Sequence, residues 1–202
     1  MSARAAGADA ANANERGDTT GPSGEGRRDR VARGVLVVGY GNRLRSDDGV
    51  GPVVAERLAA DGRLIGVQVR AVHQLTPELA LDASQAALLV LVDADQGVQP
   101  GQVAVRALAV PAEEESSSDG PTTPSFTHHV DPAALLRLAG GLWGSTPRTV
   151  VVGVGPGSLE LGDRLSPEVE AAVPRVAEAV VAVIEAVEGR LGEGSAVRGE
   201  RD

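Results

Sequence analysis

Residues 35–58 read VLVVGYGNRLRSDDGVGPVVAERL and contain a strand, a glycine-rich turn and the start of a helix. The aliphatic run over residues 34–39 predicts a buried strand, and the apolar spacing over residues 49–60 predicts a helix. A strand that leads directly into a helix is the unit from which parallel sheets are built. This stretch therefore predicts an α/β fold.

The same alternation continues along the chain. Further strands are predicted over residues 66–72, 86–93, 102–107 and 148–154, and further helices over residues 76–83, 131–139 and 166–188. Residues 86–93 (AALLVLVD) are the most apolar, so we expect them at the centre of the sheet, whereas residues 102–107 alternate and suit an edge. We expect a three-layer α/β fold with a twisted, mostly parallel five-stranded sheet and helices on both faces.

One folded domain is predicted over residues 33–188. Residues 1–32 and 189–202 lack hydrophobic periodicity, and their polar composition predicts disordered tails. Residues 111–125 (PAEEESSSDGPTTPS) are acidic and rich in Ser, Thr and Pro, which predicts a flexible insert.

Composition excludes several kinds of chemistry. The chain has 202 residues, a formal net charge of −9, no Cys, and only Arg among its 19 basic residues. Lysine Schiff bases, a phosphate-loop lysine, thiol catalysis and cysteine-ligated metals are therefore excluded. The acidic balance argues against nucleic acid as a partner. No apolar run is long enough to span a membrane, so we expect a cytoplasmic protein.

Carboxylates follow two of the predicted strands at the edge where open α/β sheets bind ligands. Asp47 and Asp48 follow the first strand; either can cap the next helix, which leaves the other free for function. Asp93 ends the central strand, where burial acts strongly on the pKa of a carboxyl group. We therefore predict a functional role for Asp93 and a surface position for Asp95.

Histidines are the other candidates. His73 follows the second strand and is equally well explained as an ordinary polar residue, whereas His128 and His129 precede the helix at residues 131–139. One imidazole and two carboxylates suit nickel, zinc or iron(II), and they leave open coordination positions.

A nucleotide-binding, Rossmann-like enzyme is the less favoured alternative. Gly39 and Gly41 match the start of a dinucleotide loop, but Leu44 stands where the third glycine belongs. Asp47 and Asp48 would also face the pyrophosphate with like charge.

Four segments together resemble the nickel-iron hydrogenase maturation endopeptidases: residues 35–58, 88–95 (LLVLVDAD), 128–139 (HHVDPAALLRLA) and 150–174. They stand in the order of that family, and the resemblance extends over roughly residues 34–188. The most specific is the first, in which GxGN is followed by an acidic pair and GxG. Residues 72–80 (VHQLTPELA) resemble one branch of the family.

The resemblance implies an endopeptidase that removes a C-terminal extension from the precursor of a hydrogenase large subunit once nickel is installed. It implies metal contacts at Asp48, Asp93 and His128, with both aspartates as the catalytic carboxylates. His128 is preferred to His129 because Pro132 lies four residues after it. We expect the precursor to supply the nickel, since such a site is weak when empty, and we expect no organic cofactor. A non-catalytic binding module or chaperone for the same precursor is the alternative.

Two positions depart from the family pattern. Asp48 stands where relatives often have Glu, and Gly155-Pro156 stands where they often have Glu-Pro. The residues leave open whether cleavage is metal-assisted or uses an aspartic-type acid/base pair.

Overall fold

Five strands form a single sheet in the computed structural model, which describes residues 34–110 and 130–196, without side chains from residue 188 onward. The strands are β1 (Val35–Tyr40), β2 (Gln68–Val72), β3 (Leu88–Ala94), β4 (Val103–Leu108) and β5 (Arg148–Val154). Their spatial order is β2-β1-β3-β5-β4, and every pair is parallel except β4 with β5. The predicted mostly parallel sheet is confirmed, with β3 at its centre and β4 at an edge.

Helices cover both faces of the sheet. They are α1 (Val50–Ala59), α2 (Leu79–Gln85), α3 (Pro132–Trp143) and α4 (Pro167–Ala196), and a short 3-10 helix (Ser46–Gly49) precedes α1. Helices α1 and α4 share one hydrophobic core with the sheet, and α2 and α3 share the other. The predicted three-layer arrangement is thus confirmed.

Alternation along β1 explains the two cores. Val35 and Val37 face α1 and α4, whereas Leu36 and Val38 face α2 and α3. Successive side chains of a strand point to opposite faces, so a strand covered on both sides must be apolar at every position. The continuous aliphatic runs of β1 and β3 satisfy this requirement.

Helix ends are where the structure departs from the predicted elements. Helix α2 begins at Leu79 rather than residue 76, because Thr76 and Pro77 form a preceding turn in which their carbonyls accept from the amides of Leu79 and Ala80. Helix α3 continues past residue 139 until Gly144, which adopts a left-handed conformation with φ 68°.

Helix α4 continues to Ala196, whereas the sequence predicted its end at residue 188. The predicted tail over residues 1–32 and the insert over residues 111–125 lie outside the described residues. None of the helices in the described part of the chain combines the length and apolar character that crossing a membrane requires.

Candidate active site

The candidate site lies where the connections of the sheet change direction. From β1 the chain passes to β2 on one side, and it then returns to β3 on the other side. In open α/β sheets, ligands bind in the crevice outside the carboxyl ends of two such strands. A cavity of about 630 Å³ occupies this position, and its lining includes Tyr40, Asp48, His73, Asp93, Asp131 and Pro132.

Asp93 lies beside Tyr40 in this cavity. The parallel register pairs Gly39 with Val92, so the next residues of the two strands are neighbours. The Tyr40 hydroxyl donates a hydrogen bond to the Asp93 carboxylate, and the amide of Ala94 donates to Asp93 Oδ1 at 2.8 Å. Asp93 therefore has a fixed orientation towards the cavity.

Burial raises the pKa of Asp93 to about 6, and the negative charge of Asp48 contributes in the same direction. The hydrogen bonds from Tyr40 and from the amide of Ala94 favour the ionised form and oppose this rise. A carboxyl group that titrates near neutral pH can both accept and release a proton during a reaction.

Tyr40 is a site residue that the sequence did not reveal. Burial, followed by the charge of Asp93, holds the pKa of the Tyr40 phenol far above its usual range, so the hydroxyl remains a donor. Tyr40 lies beside Asp93 because of the register in which β1 pairs with β3. This register is known only from the structure.

Asp48 and its neighbour Asp47 have separate roles. Asp48 lines the cavity, and its Oδ2 accepts a hydrogen bond from the Asn42 amide at 2.9 Å. Asp47 is completely buried away from it and accepts hydrogen bonds from residues 157, 158 and 166. Neither side chain caps the following helix, so the capping prediction is wrong. One of the pair is nevertheless structural, and it is Asp47.

Glycine allows α1 to approach the sheet closely enough to place Asp48. A Cβ added at Gly51 would lie 2.3 Å from the Tyr40 carbonyl oxygen and 2.4 Å from that of Val92. At Gly41, where φ is 139°, an added Cβ would lie 1.8 Å from the carbonyl oxygen of Asp48. Close packing of the turn thus explains these glycines without a bound nucleotide.

Of the three histidines, His73 alone lies among the residues that the structure describes. His73 lines the cavity together with Asp48 and Asp93. His128 and His129 lie outside the described residues, although Val130, which follows them directly, lines the same cavity. Among the side chains described over residues 34–110 and 130–187, no three His, Asp or Glu are grouped to hold a metal ion. His73 therefore does not complete a three-ligand site with the two aspartates.

Asp95 takes no part in the cavity. It forms an ion pair with Arg106 of β4, and its Oδ1 accepts a hydrogen bond from the Gly97 amide at 2.9 Å. These contacts hold the turn after β3 against the edge strand. They give Asp95 a structural role rather than a role in the site.

Gly155 stands where a glutamate was expected from the family pattern. A Cβ added there would lie 1.9 Å from the Gln99 carbonyl oxygen and 2.5 Å from that of Val98. Any side chain at this position would have to displace the turn before β4. The backbone of this chain therefore excludes the glutamate.

Several solved structures of maturation proteases are similar to this chain. A hydrogenase 2 maturation peptidase from a Thaumarchaeota archaeon is 30% identical, with a TM-score of 0.56 over 75% of this chain and 97% of that one. The hydrogenase maturating endopeptidase HybD from E. coli is 26% identical, with a TM-score of 0.58 over 76% and 93%. A NiFe hydrogenase maturation protease HybD from Thermococcus kodakarensis, 24% identical with a TM-score of 0.56 over 74% and 98%, shares the fold. No family model and no curated protein matches the chain.

The similarity of this α/β chain to solved maturation peptidases identifies it as a peptidase. Since the chain shares 30% identity over nearly the whole archaeal peptidase, it belongs to the hydrogenase maturation endopeptidase family. The family assignment and the peptidase activity expected from the sequence are thus confirmed.

Proposed function

We propose that this peptidase removes a C-terminal extension from the nickel-loaded precursor of a nickel-iron hydrogenase large subunit. The observation that carries the proposal is the presence of Asp48 and Asp93 in one cavity at the carboxyl ends of the strands. Membership of the maturation endopeptidase family supports the class of substrate.

Nickel enters this proposal as part of the substrate. Asp48, Asp93 and His128 are the proposed contacts, and two carboxylates with one imidazole form a weak site by themselves. A precursor that already carries nickel would complete the coordination and bind productively. A precursor without nickel would lack that contribution, so cleavage would depend on metal insertion.

Asp93 is the proposed general base. Its pKa of about 6 leaves it ionised at neutral pH and able to take a proton from a water molecule. The water oxygen attacks the scissile carbonyl, which the nickel of the precursor can polarise. Asp93 then gives the proton to the departing amide nitrogen, so the products are a carboxylate and an amine.

Intact-mass analysis of the precursor tests the proposal. We expect the wild-type enzyme to release a C-terminal peptide from the nickel-loaded precursor and to leave the nickel-free precursor uncut. Asp93→Asn and His128→Ala should remain folded and release nothing, while His129→Ala serves as the matched control that retains activity. Unimpaired cleavage by both site variants would reject the residue assignment, and equal cleavage of both precursors would reject nickel recognition.

A further inference from the structure

Two large apolar side chains are exposed close to the candidate active site. Leu44, in the loop after β1, is 65% exposed, and Leu161, in the loop before α4, is 89% exposed. A single exposed leucine on a protein surface needs no explanation. These two differ because the backbone holds them side by side.

A short parallel bridge joins the two loops and pairs Arg45 with Gly162. The Gly162 amide donates to the Leu44 carbonyl at 3.0 Å, and the Ser46 amide donates to the Gly162 carbonyl at 2.9 Å. Gly162 directly follows Leu161, so its hydrogen bond to the Leu44 carbonyl holds the backbones of Leu44 and Leu161 next to each other.

Further hydrogen bonds between the two loops hold the bridge in place. The hydroxyl of Ser46 donates to the Glu160 carbonyl at 3.1 Å, and the Asp47 amide donates to the Ser158 carbonyl at 3.1 Å. Ser46 has φ 48°, a left-handed conformation that a non-glycine residue keeps only when its surroundings impose it. Leu44 and Leu161 thus lie on two loop segments, residues 42–47 and 158–162, that hydrogen bonds hold rigidly together and that we call the ribbon. A partner that binds these leucines therefore loses little binding free energy to the ordering of the loops.

The ribbon borders the active site. Asn42 and Arg45, on either side of Leu44, both line the cavity that holds the two aspartates. Leu44 also lines a neighbouring cavity of about 260 Å³, and His73 lines both cavities. Leu44 therefore lies beside the mouth of the candidate active site, and Leu161 adjoins Leu44 through the bridge.

We infer that Leu44 and Leu161 form a docking surface for an apolar patch on the folded part of the precursor, next to the extension that enters the cavity. This inference rests on the proposed function. A substrate whose scissile bond reaches Asp93 must cover the mouth of the cavity and so meets the adjoining ribbon. A second copy of the chain seated there would instead obstruct the substrate.

Steady-state cleavage of the nickel-loaded precursor by the full-length enzyme tests the docking surface. We expect Leu44→Ser and Leu161→Ser each to raise KM about tenfold, the double variant to raise it further, and kcat to change less than about twofold, because the lost contact is the same in ground and transition states. Leu142→Ser is the matched control: Leu142 is 66% exposed near the C-terminal end of α3, at the opposite end of the sheet.

A binding measurement separates this inference from the proposed function. Calorimetric titration of the precursor into Asp93→Asn, with and without the two leucine substitutions, reports docking whether or not cleavage occurs. Weaker binding on substitution supports the surface even if the wild-type enzyme cuts nothing. Binding and KM equal to those of the Leu142→Ser control would overturn it. A change from dimer to monomer with unaltered precursor binding would also overturn it.

Discussion

Asp47 binds Ser166 through both groups that this serine can donate. The Ser166 amide lies 2.6 Å from Asp47 Oδ1, and its hydroxyl lies 2.8 Å from Asp47 Oδ2. The same buried carboxylate accepts from the amides of Gly157 and Ser158 at 2.7 and 2.9 Å. It thereby fixes the loop before α4 against the turn that carries Asp48.

Replacement of Asp47 should therefore destabilise the fold strongly. In Asp47→Asn the side-chain NH2 would face at least one backbone amide, which can only donate, so a charged hydrogen bond is lost and a buried donor is stranded. We expect a loss of about 2–4 kcal/mol in the free energy of unfolding, against about 1 kcal/mol for Ser166→Ala. Urea denaturation measures both. Equal losses in the two variants would contradict the central role of the carboxylate.

Asp93→Asn should have the opposite effect at neutral pH and stabilise the protein. The pKa of Asp93 rises from 3.8 to about 6 on folding, mainly through burial. Between these values the unfolded chain releases its proton first, so the stability contributed by Asp93 falls as the pH rises. Above about pH 6 the folded wild-type protein bears the full free-energy cost of a buried, ionised Asp93. This cost is on the order of 2–3 kcal/mol, at about 1.4 kcal/mol per pKa unit. Asparagine avoids that cost while keeping an acceptor for Tyr40.

Urea titrations of metal-free wild type and Asp93→Asn from about pH 4 to about pH 8 test whether the variant is the more stable protein. The advantage of Asp93→Asn should be small at the acidic end, grow towards pH 6 and then level off. Because cleavage should be lost in the same variant, stability and activity would change in opposite directions. A variant less stable than wild type by a constant amount at every pH would refute the assigned cause.

Tyr40→Phe should shift the pH dependence of cleavage. The Tyr40 hydroxyl favours the ionised form of Asp93, so its removal raises the pKa of Asp93 further above about 6. If Asp93 acts as the base, kcat/KM rises with pH through that value in the wild type and through a higher value in the variant. Cleavage rates across this range measure the shift. Activity reduced equally at all pH values would indicate a structural role for Tyr40 instead.

The sequence predicted what depends on local pattern. Continuous aliphatic runs identified β1 and β3, and they placed Asp93 near the carboxyl end of β3, where it lines the candidate cavity. The role of Tyr40 depends on strand register, and that of Asp47 depends on partners more than 100 residues away. Periodicity along one segment contains neither kind of information.

The ends of the helices could not be predicted from the sequence either, because tertiary contacts and backbone conformation determine them. The predicted helix ended at residue 139, yet α3 passes through Gly140 and Gly141 and stops at Gly144, whose left-handed conformation ends it. Helix propensity is a weak preference that packing of the apolar face overrides. Leu135 and Leu136, completely or almost completely buried under the sheet, supply that packing.

Gly51→Ala in α1 and Gly141→Ala in α3 are the same chemical change, and they should change the free energy of unfolding in opposite directions. A Cβ at Gly51 would lie within 2.7 Å of the nitrogen and oxygen of Tyr40 and the oxygen of Val92, all backbone atoms that cannot rotate away. Helix α1 must then move off the sheet, at a cost of about 3 kcal/mol or more in unfolding free energy. At Gly141 an added Cβ meets nothing within 4 Å, so alanine should stabilise α3 by about 0.5–1 kcal/mol.

The same pair of variants tests how Asp48 is positioned. The displacement of α1 by Gly51→Ala carries the preceding turn with it, so Asp48 would move away from Asp93. Cleavage should therefore fall at least tenfold even under conditions where urea titration shows the variant to be folded, because catalytic groups tolerate displacements of less than about 1 Å. Gly141→Ala should cleave like the wild type. Full activity in folded Gly51→Ala would mean that something other than the contact of α1 with the strand ends holds Asp48 at the cavity.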